Sequence, residues 1–230
     1  MLEHLLIPDI RELIEAGDLA CLSDVLNSWL PADVAALITG LTGDEQVTVF
    51  HTLRPERSVK VFEHLNLDTQ TWLLSQLPDS ETAELLNRMA PDDRTALLGE
   101  LPDEQSRRML GLLSPEERGV AEALLKQDPS SVGRLMTPDY IAVGLDWTIE
   151  RVLDHVRTHG KDSETLNVIY VVDDEGKLID DLRIREILLA PLHERVADLA
   201  DKKFVALRTT DLRRDVVEVF RKYDRTALPV

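Results

Sequence analysis

A single cysteine, Cys21, stands in 230 residues. That excludes a disulfide framework and a cluster of thiolate metal ligands. No stretch approaches the ~20 apolar residues that a membrane-spanning helix needs. The opening segment, Met1 to Pro8, lacks a basic region and a long apolar core, so it does not read as a signal peptide. No nucleophile elbow, phosphate-binding loop or dinucleotide glycine pattern occurs, and an enzyme reading finds no support. Basic charge is scarce: 26 Lys and Arg face 43 Asp and Glu, for a net charge of −17. Such a surface repels the phosphates of nucleic acid and of anionic membranes. The partner it favours is a multivalent cation. The segment is expected to be soluble and cytoplasmic.

What the sequence has in quantity is a repeat. Leu53, Leu65, Leu77, Met89, Leu101, Leu113 and Leu125 recur every 12 residues. Apolar pairs follow the first five of these, eight and nine residues on: Val61-Phe62, Leu73-Leu74, Leu85-Leu86, Leu97-Leu98 and Met109-Leu110. The spacing i, i+1, i+4 predicts short helices with one apolar stripe, which only stacking on neighbours can bury. Leu77-Pro78-Asp79 and Leu101-Pro102-Asp103 are expected to open helices, as are Pro91-Asp92-Asp93 and Pro115-Glu116-Glu117. Proline halts the preceding helix and suits the first turn of the next. The acids after it complement the helix dipole, which is a capping role in its own right for Asp92 and Asp93. From Leu77 on, proline alternates between one and two residues after the repeat position, which predicts two alternating helix classes. Earlier residues, 10–30, read as helices broken at Gly17-Asp18.

Gln127 to Ser131 is polar and proline-broken, a predicted domain boundary. After it the period changes. Tyr140–Val143 and Val168–Val172 read as strands, with a helix carrying Val152, Leu153 and Val156 between them, capped by Thr148. A turn at Asp173–Gly176 leads to a third strand, Lys177–Ile184, and a helix, Arg185–Ala190. The pattern recurs at an offset of 64: Phe204–Leu207 as strand, Val216, Val217 and Phe220 as helix, Ala227–Val230 as strand. The second copy lacks its third strand, so the sequence is expected to be part of a longer chain. His155 and His159 have a metal-ligand spacing, but without a third ligand they read as a surface pair. Trp29, Trp72 and Trp147 read as packing residues.

The tandem β-α-β-β-α pattern resembles a CBS-domain pair, strengthened by Leu135-Met136-Thr137-Pro138 and by Tyr223 to Val230. Preceded by an acidic superhelix, it resembles the cytosolic part of the MgtE family of magnesium transporters. The resemblance implies an α-solenoid followed by an α/β CBS tandem. Residues 1–128 would form the superhelix, 129–139 a linker, 140–198 the first CBS domain and 199–230 the first half of a second. It further implies a homodimer through the CBS domains and a transmembrane domain beyond Val230. It implies a region on the cytoplasmic side of the membrane that senses Mg²⁺ through acidic inter-domain sites and holds the pore closed when the ion is abundant.

On this pattern the ion ligands are Asp92, with Asp93 beside it, and Asp224. Lys60 and Ala96 stand where well-known members carry acids, and Arg134 where they carry glycine. A lysine there would replace an ion by a salt bridge. Two acidic bodies repel each other, and a divalent ion bound through one or two carboxylates would bridge them. CBS pairs in general also bind adenine nucleotides such as ATP. The positions usual for ribose contacts hold Arg183 and Glu186 here, and Asp180-Asp181 replaces a glycine–hydrophobic pair. The corresponding candidate set is Arg185, Glu186 and Val205. The alternatives are a nucleotide-sensing CBS protein with a helical interaction domain, and a structural adaptor.

Overall fold

The computed structural model describes residues 2–161 and 163–230. The chain divides into two units, residues 1–122 and 123–230.

The first unit is built of short helices: α1 (Leu2–Glu15), α2 (Leu19–Leu26), α3 (Pro31–Gly40), α4 (Asp44–His51), α5 (Pro55–Glu63), α6 (Leu67–Gln76), α7 (Asp79–Arg88), α8 (Pro91–Glu100), α9 (Asp103–Leu112) and α10 (Pro115–Leu125), whose last turn enters the second unit. The break between α1 and α2 falls at Gly17, whose φ of 68° is left-handed, and Asp18 caps α2 through the amide of Cys21. Odd-numbered helices form a row: α1 packs on α3, α3 on α5, α5 on α7 and α7 on α9. This is the stacking that a single-stripe helix requires.

The two helix classes are real. In α3, α5 and α8 proline is the first helical residue, after an extended Leu30, Arg54 or Ala90. In α7 and α9 the proline sits one residue earlier, at the N-cap, and the helices begin at Asp79 and Asp103. The 12-residue positions themselves differ from the expectation. Leu77, Met89, Leu101 and Leu113 do not open their helices; they cap the C-termini of α6 to α9 in extended conformation, and they are buried. Only the apolar pairs ride on the helices. The third member of each triad plugs the turn; Leu77 and Leu101 directly precede a proline, which drives them out of helical geometry, and Met89 and Leu113 stand one residue further from theirs.

A second regularity joins the repeats. A side chain near the end of one helix accepts from a helix-opening amide 27 residues on: Asn27 from Arg54 (2.9 Å), Glu63 from Ala90 (3.1 Å), Asn87 from Ser114 (2.8 Å). Each held amide immediately precedes a proline that starts α5, α8 or α10. Such donors have no partner inside their own helix.

In the second unit a 3-10 turn (Val132–Arg134) precedes β1 (Ala142–Gly144), α11 (Ile149–His159), β2 (Val168–Val172), β3 (Leu178–Arg183), α12 (Ile184–Leu189), α13 (Val196–Leu199) and α14 (Arg213–Tyr223). The sheet order is β1-β2-β3, with β1 parallel to β2 and β3 antiparallel to it. Ile141, Val143, Val152, Ile169, Leu182 and Ile187 are among its core.

The 64-residue offset holds to the residue: α11 shifted by 64 is α14. The copies also exchange backbone bonds in matching pairs. Val132 N donates to Asp211 O and Val196 N to Trp147 O; Gly133 N to Thr209 O and Ala197 N to Leu145 O; Arg213 N to Ser130 O and Ile149 N to Glu194 O. Gly133 is required at this crossing, since a Cβ would stand 2.9 Å from Thr209 O.

One expectation fails. Phe204–Leu207 and Ala227–Val230 form no ladder among the described residues; Leu207 N to Pro229 O (2.8 Å) is the bond recorded between them. In the first copy β2 leans on β3 as well as on β1, and the second copy offers no counterpart of β3 among the described residues. Leu207, Val216 and Leu228 still bury themselves in a small cluster with Val132.

Candidate metal and nucleotide sites

Asp92 and Asp93 lie in the first turn of α8, where exposed amides and the dipole favour carboxylates. Asp93 is exposed and lines a shallow hollow with Glu63, Gln70, Ala96 and Glu100. Asp92 is half-buried. Its Oδ1 is enclosed and accepts no hydrogen bond from the protein. A carboxylate oxygen in that condition is what a cation or an ordered water satisfies.

Two charged residues set this turn. Arg94 is fully buried; it donates to the carbonyls of Leu86 (3.1 Å) and Met89 (3.4 Å) and pairs with Glu117. Glu63, its side chain 8% exposed, holds the amide of Ala90 with one oxygen and Lys60 Nζ (2.9 Å) with the other. Lys60 therefore pairs with a carboxylate of its own helix.

Asp224 is exposed and ends α14 in left-handed conformation (φ 48°, ψ 51°). The next residue, Arg225, donates its amide to Phe220 O (3.2 Å), and its guanidinium reaches Asp181 on β3 (3.3 and 3.1 Å). Burial raises the Asp181 carboxyl above its ordinary range, while Arg225 pulls it back. The adjacent Asp180, also buried, accepts the amide of Lys202 (2.9 Å). Nearby, burial likewise raises the Tyr170 phenol, which stands edge-on to Tyr140. The sequence signal for Asp180 and Asp181 is a pair of acids inside an otherwise apolar strand.

Among the described residues no three of His, Cys, Asp and Glu form a group able to hold a metal ion. Arg185 and Glu186 are exposed on α12, where Glu186 caps its own helix through the amide of Arg183 (2.8 Å), while Val205 packs on the Leu207–Val216 cluster. His155 and His159 stack at 4.3 Å on α11, and His159 Nδ1 is engaged by the carbonyl of His155. Burial, His159 and Arg151 lower the pKa of His155.

Charge is divided unevenly. Residues 1–122 hold 23 of the 43 acids and 9 of the 26 basic residues, leaving residues 123–230 with 20 acids and 17 basic residues. The expectation of two acidic bodies is corrected: only the helical unit is strongly acidic.

A solenoid of paired short helices joined to a CBS unit defines a two-part protein class with a helical and a ligand-domain-like half. Residues 29–130 match the MgtE intracellular N domain and residues 132–193 the CBS domain. The magnesium transporter MgtE of Thermus thermophilus is 33% identical over the whole chain, which spans 52% of that relative. MgtE of Enterococcus faecalis is 26% identical over 49% of the chain and 25% of its own length. The crystal structure of the cytosolic domain of the Mg²⁺ channel MgtE in complex with ATP superposes with a TM-score of 0.91 at 34% identity, covering 98% of this chain and 92% of that one. The soluble part of a magnesium transporter, 21% identical, shares the fold with a TM-score of 0.91 over 99% of this chain and 90% of that one. The chain belongs to the MgtE family. No helix among the described residues is long and apolar enough to cross a membrane.

Proposed function

We propose that this chain is the cytosolic regulatory region of a magnesium transporter. In this reading it responds to intracellular Mg²⁺ through carboxylates of the helical and CBS units, and it biases a transmembrane pore carried by the remainder of the protein. The reading includes a homodimer through the CBS units. The observation that carries it is Asp92, whose enclosed Oδ1 lacks a protein donor within a strongly acidic unit. Mg²⁺ keeps most of its water and takes one or two carboxylates, so separate half-sites at Asp92, Asp93 and Asp224 suit it without a dense cage. The ion shifts the arrangement only by binding one state more tightly than the other.

Limited proteolysis across a Mg²⁺ titration tests this. Wild type is expected to gain protection with a midpoint near cellular Mg²⁺, and Asp92→Asn and Asp224→Asn to move that midpoint upward. Equal digestion in Mg²⁺ and in chelator overturns the reading.

Nucleotide binding at Arg185, Glu186 and Val205 is a second reading, supported by the similar cytosolic domain solved with ATP. Calorimetry with ATP checks it. Arg185→Ala is expected to weaken the heat signal, and absence of heat with wild type removes the reading.

A further inference from the structure

We infer that Asp181 acts through Arg225 as a positioning residue for Asp224, resting on the reading of Asp224 as a Mg²⁺ ligand.

Three observations converge. Asp224 occupies the left-handed region, which a residue with a Cβ leaves readily unless its neighbours hold it. The holding comes from Arg225, whose amide closes the end of α14 on Phe220 O and whose guanidinium spans 44 residues to Asp181. Asp181 makes a firm anchor: its side chain is 1% exposed and sits in a strand paired along its length to β2. A charged pair in which one partner is so enclosed has few alternative geometries, because leaving either charge unpaired there is costly. The turn that aims the Asp224 carboxylate is therefore referenced to the sheet rather than to the helix end alone. Asp180 reinforces the same frame from the next position, fixing the amide of Lys202, itself left-handed at φ 61°. Consecutive aspartates of β3 thus grip both the entry and the far end of the second CBS copy.

The relation is that of a metal ligand to the group behind it. Loss of such an outer partner weakens metal binding on the order of 10-fold or more while the ligand itself remains.

The test is a double-mutant cycle on the 230-residue chain, reading the Mg²⁺ midpoint of protease protection and the hydrogen exchange of the Arg225 amide. Asp181→Asn is expected to raise the midpoint about 10-fold and to speed exchange at Arg225. In an Asp224→Asn background it is expected to add nothing, since the carboxylate it aims is gone. A general loss of stability would instead add to Asp224→Asn. Should a stranded Arg225 destabilise the unit, Asp181→Asn/Arg225→Met removes both charges, and it is expected to show the same midpoint. Asp224→Asn shifted with Asp181→Asn unshifted overturns this inference alone, as does additivity or unchanged exchange at Arg225. Asp224→Asn identical to wild type overturns the Mg²⁺ reading of Asp224, and this inference falls with it.

Discussion

Arg94 shows what one charged side chain does inside a solenoid. It occupies a stripe position, three and four residues before Leu97 and Leu98, and is fully buried. Its hydrogen bonds satisfy two carbonyls at the end of α7 and tie them to Glu117 on α10. Arg94→Met keeps the volume but strands both carbonyls, and is expected to cost about 1–3 kcal/mol in urea unfolding. Glu117→Gln leaves that buried guanidinium without its counter-charge, and is expected to cost about 1–3 kcal/mol as well. The cue in the sequence is a cation at a stripe position, spaced i, i+3, i+4 with Leu97 and Leu98. Conversely, a capping role for Asp92 is compatible with its place in α8, while its enclosed oxygen is a product of the packing around that turn and has no local sequence signal. The Arg11–Glu45 pair (2.8 Å) gives a pH signature. Hydrogen bonding to Arg11 lowers the Glu45 pKa, so its stabilisation is present above the unfolded carboxyl value and fades as pH falls through the folded one. Acid titration of thermal stability is expected to lose slope in Glu45→Gln, and an unchanged slope would remove the pair from the account.

At the scale of elements, the helices were legible because each boundary is written in local chemistry: Pro with an extended residue before it, or Asn66 at the start of α6, whose side chain accepts from Thr69 N (2.9 Å). The 64-residue offset was equally legible, and it placed α14 from α11. The staples 27 residues apart were not, because an Asn or Glu at a helix end has many local roles and its partner is a backbone amide three helices further on. Their function is to close donors that proline-led helices expose. Asn87→Ala therefore removes the acceptor for the Ser114 amide and is expected to destabilise the helical unit by about 1 kcal/mol. Asn66→Ala, a purely local cap, is expected to cost about the same. Hydrogen exchange separates the two: the first loosens the start of α10 and leaves α6 protected, the second does the reverse. The strands of the second CBS copy mark the limit of local reading. Phe204–Leu207 and Ala227–Val230 have strand chemistry, yet without a third partner that preference produced one recorded bond and no ladder.

For the whole molecule the decisive quantity is where the charge sits. With 23 acids against 9 basic residues, the helical unit repels itself, whereas the CBS unit, with 20 against 17, is close to balanced. Self-repulsion between exposed charges is screened as the Debye length shrinks from ~30 Å at 0.01 M to ~8 Å at 0.15 M salt. The tryptophans report the units separately, Trp29 and Trp72 in the helical unit and Trp147 in the other. In a Trp147→Phe variant, added NaCl is expected to raise the fluorescence melting temperature. In a Trp29→Phe/Trp72→Phe variant it is expected to change little. Magnesium discriminates screening from binding. At matched ionic strength, MgCl₂ is expected to stabilise the helical unit beyond NaCl, because an ion held by Asp92 and Asp93 stabilises by mass action and not only by screening. If MgCl₂ and NaCl then coincide, or if Asp92→Asn leaves the magnesium increment intact, the carboxylates of α8 are dipole caps and the acidity of the unit is no more than a source of solubility.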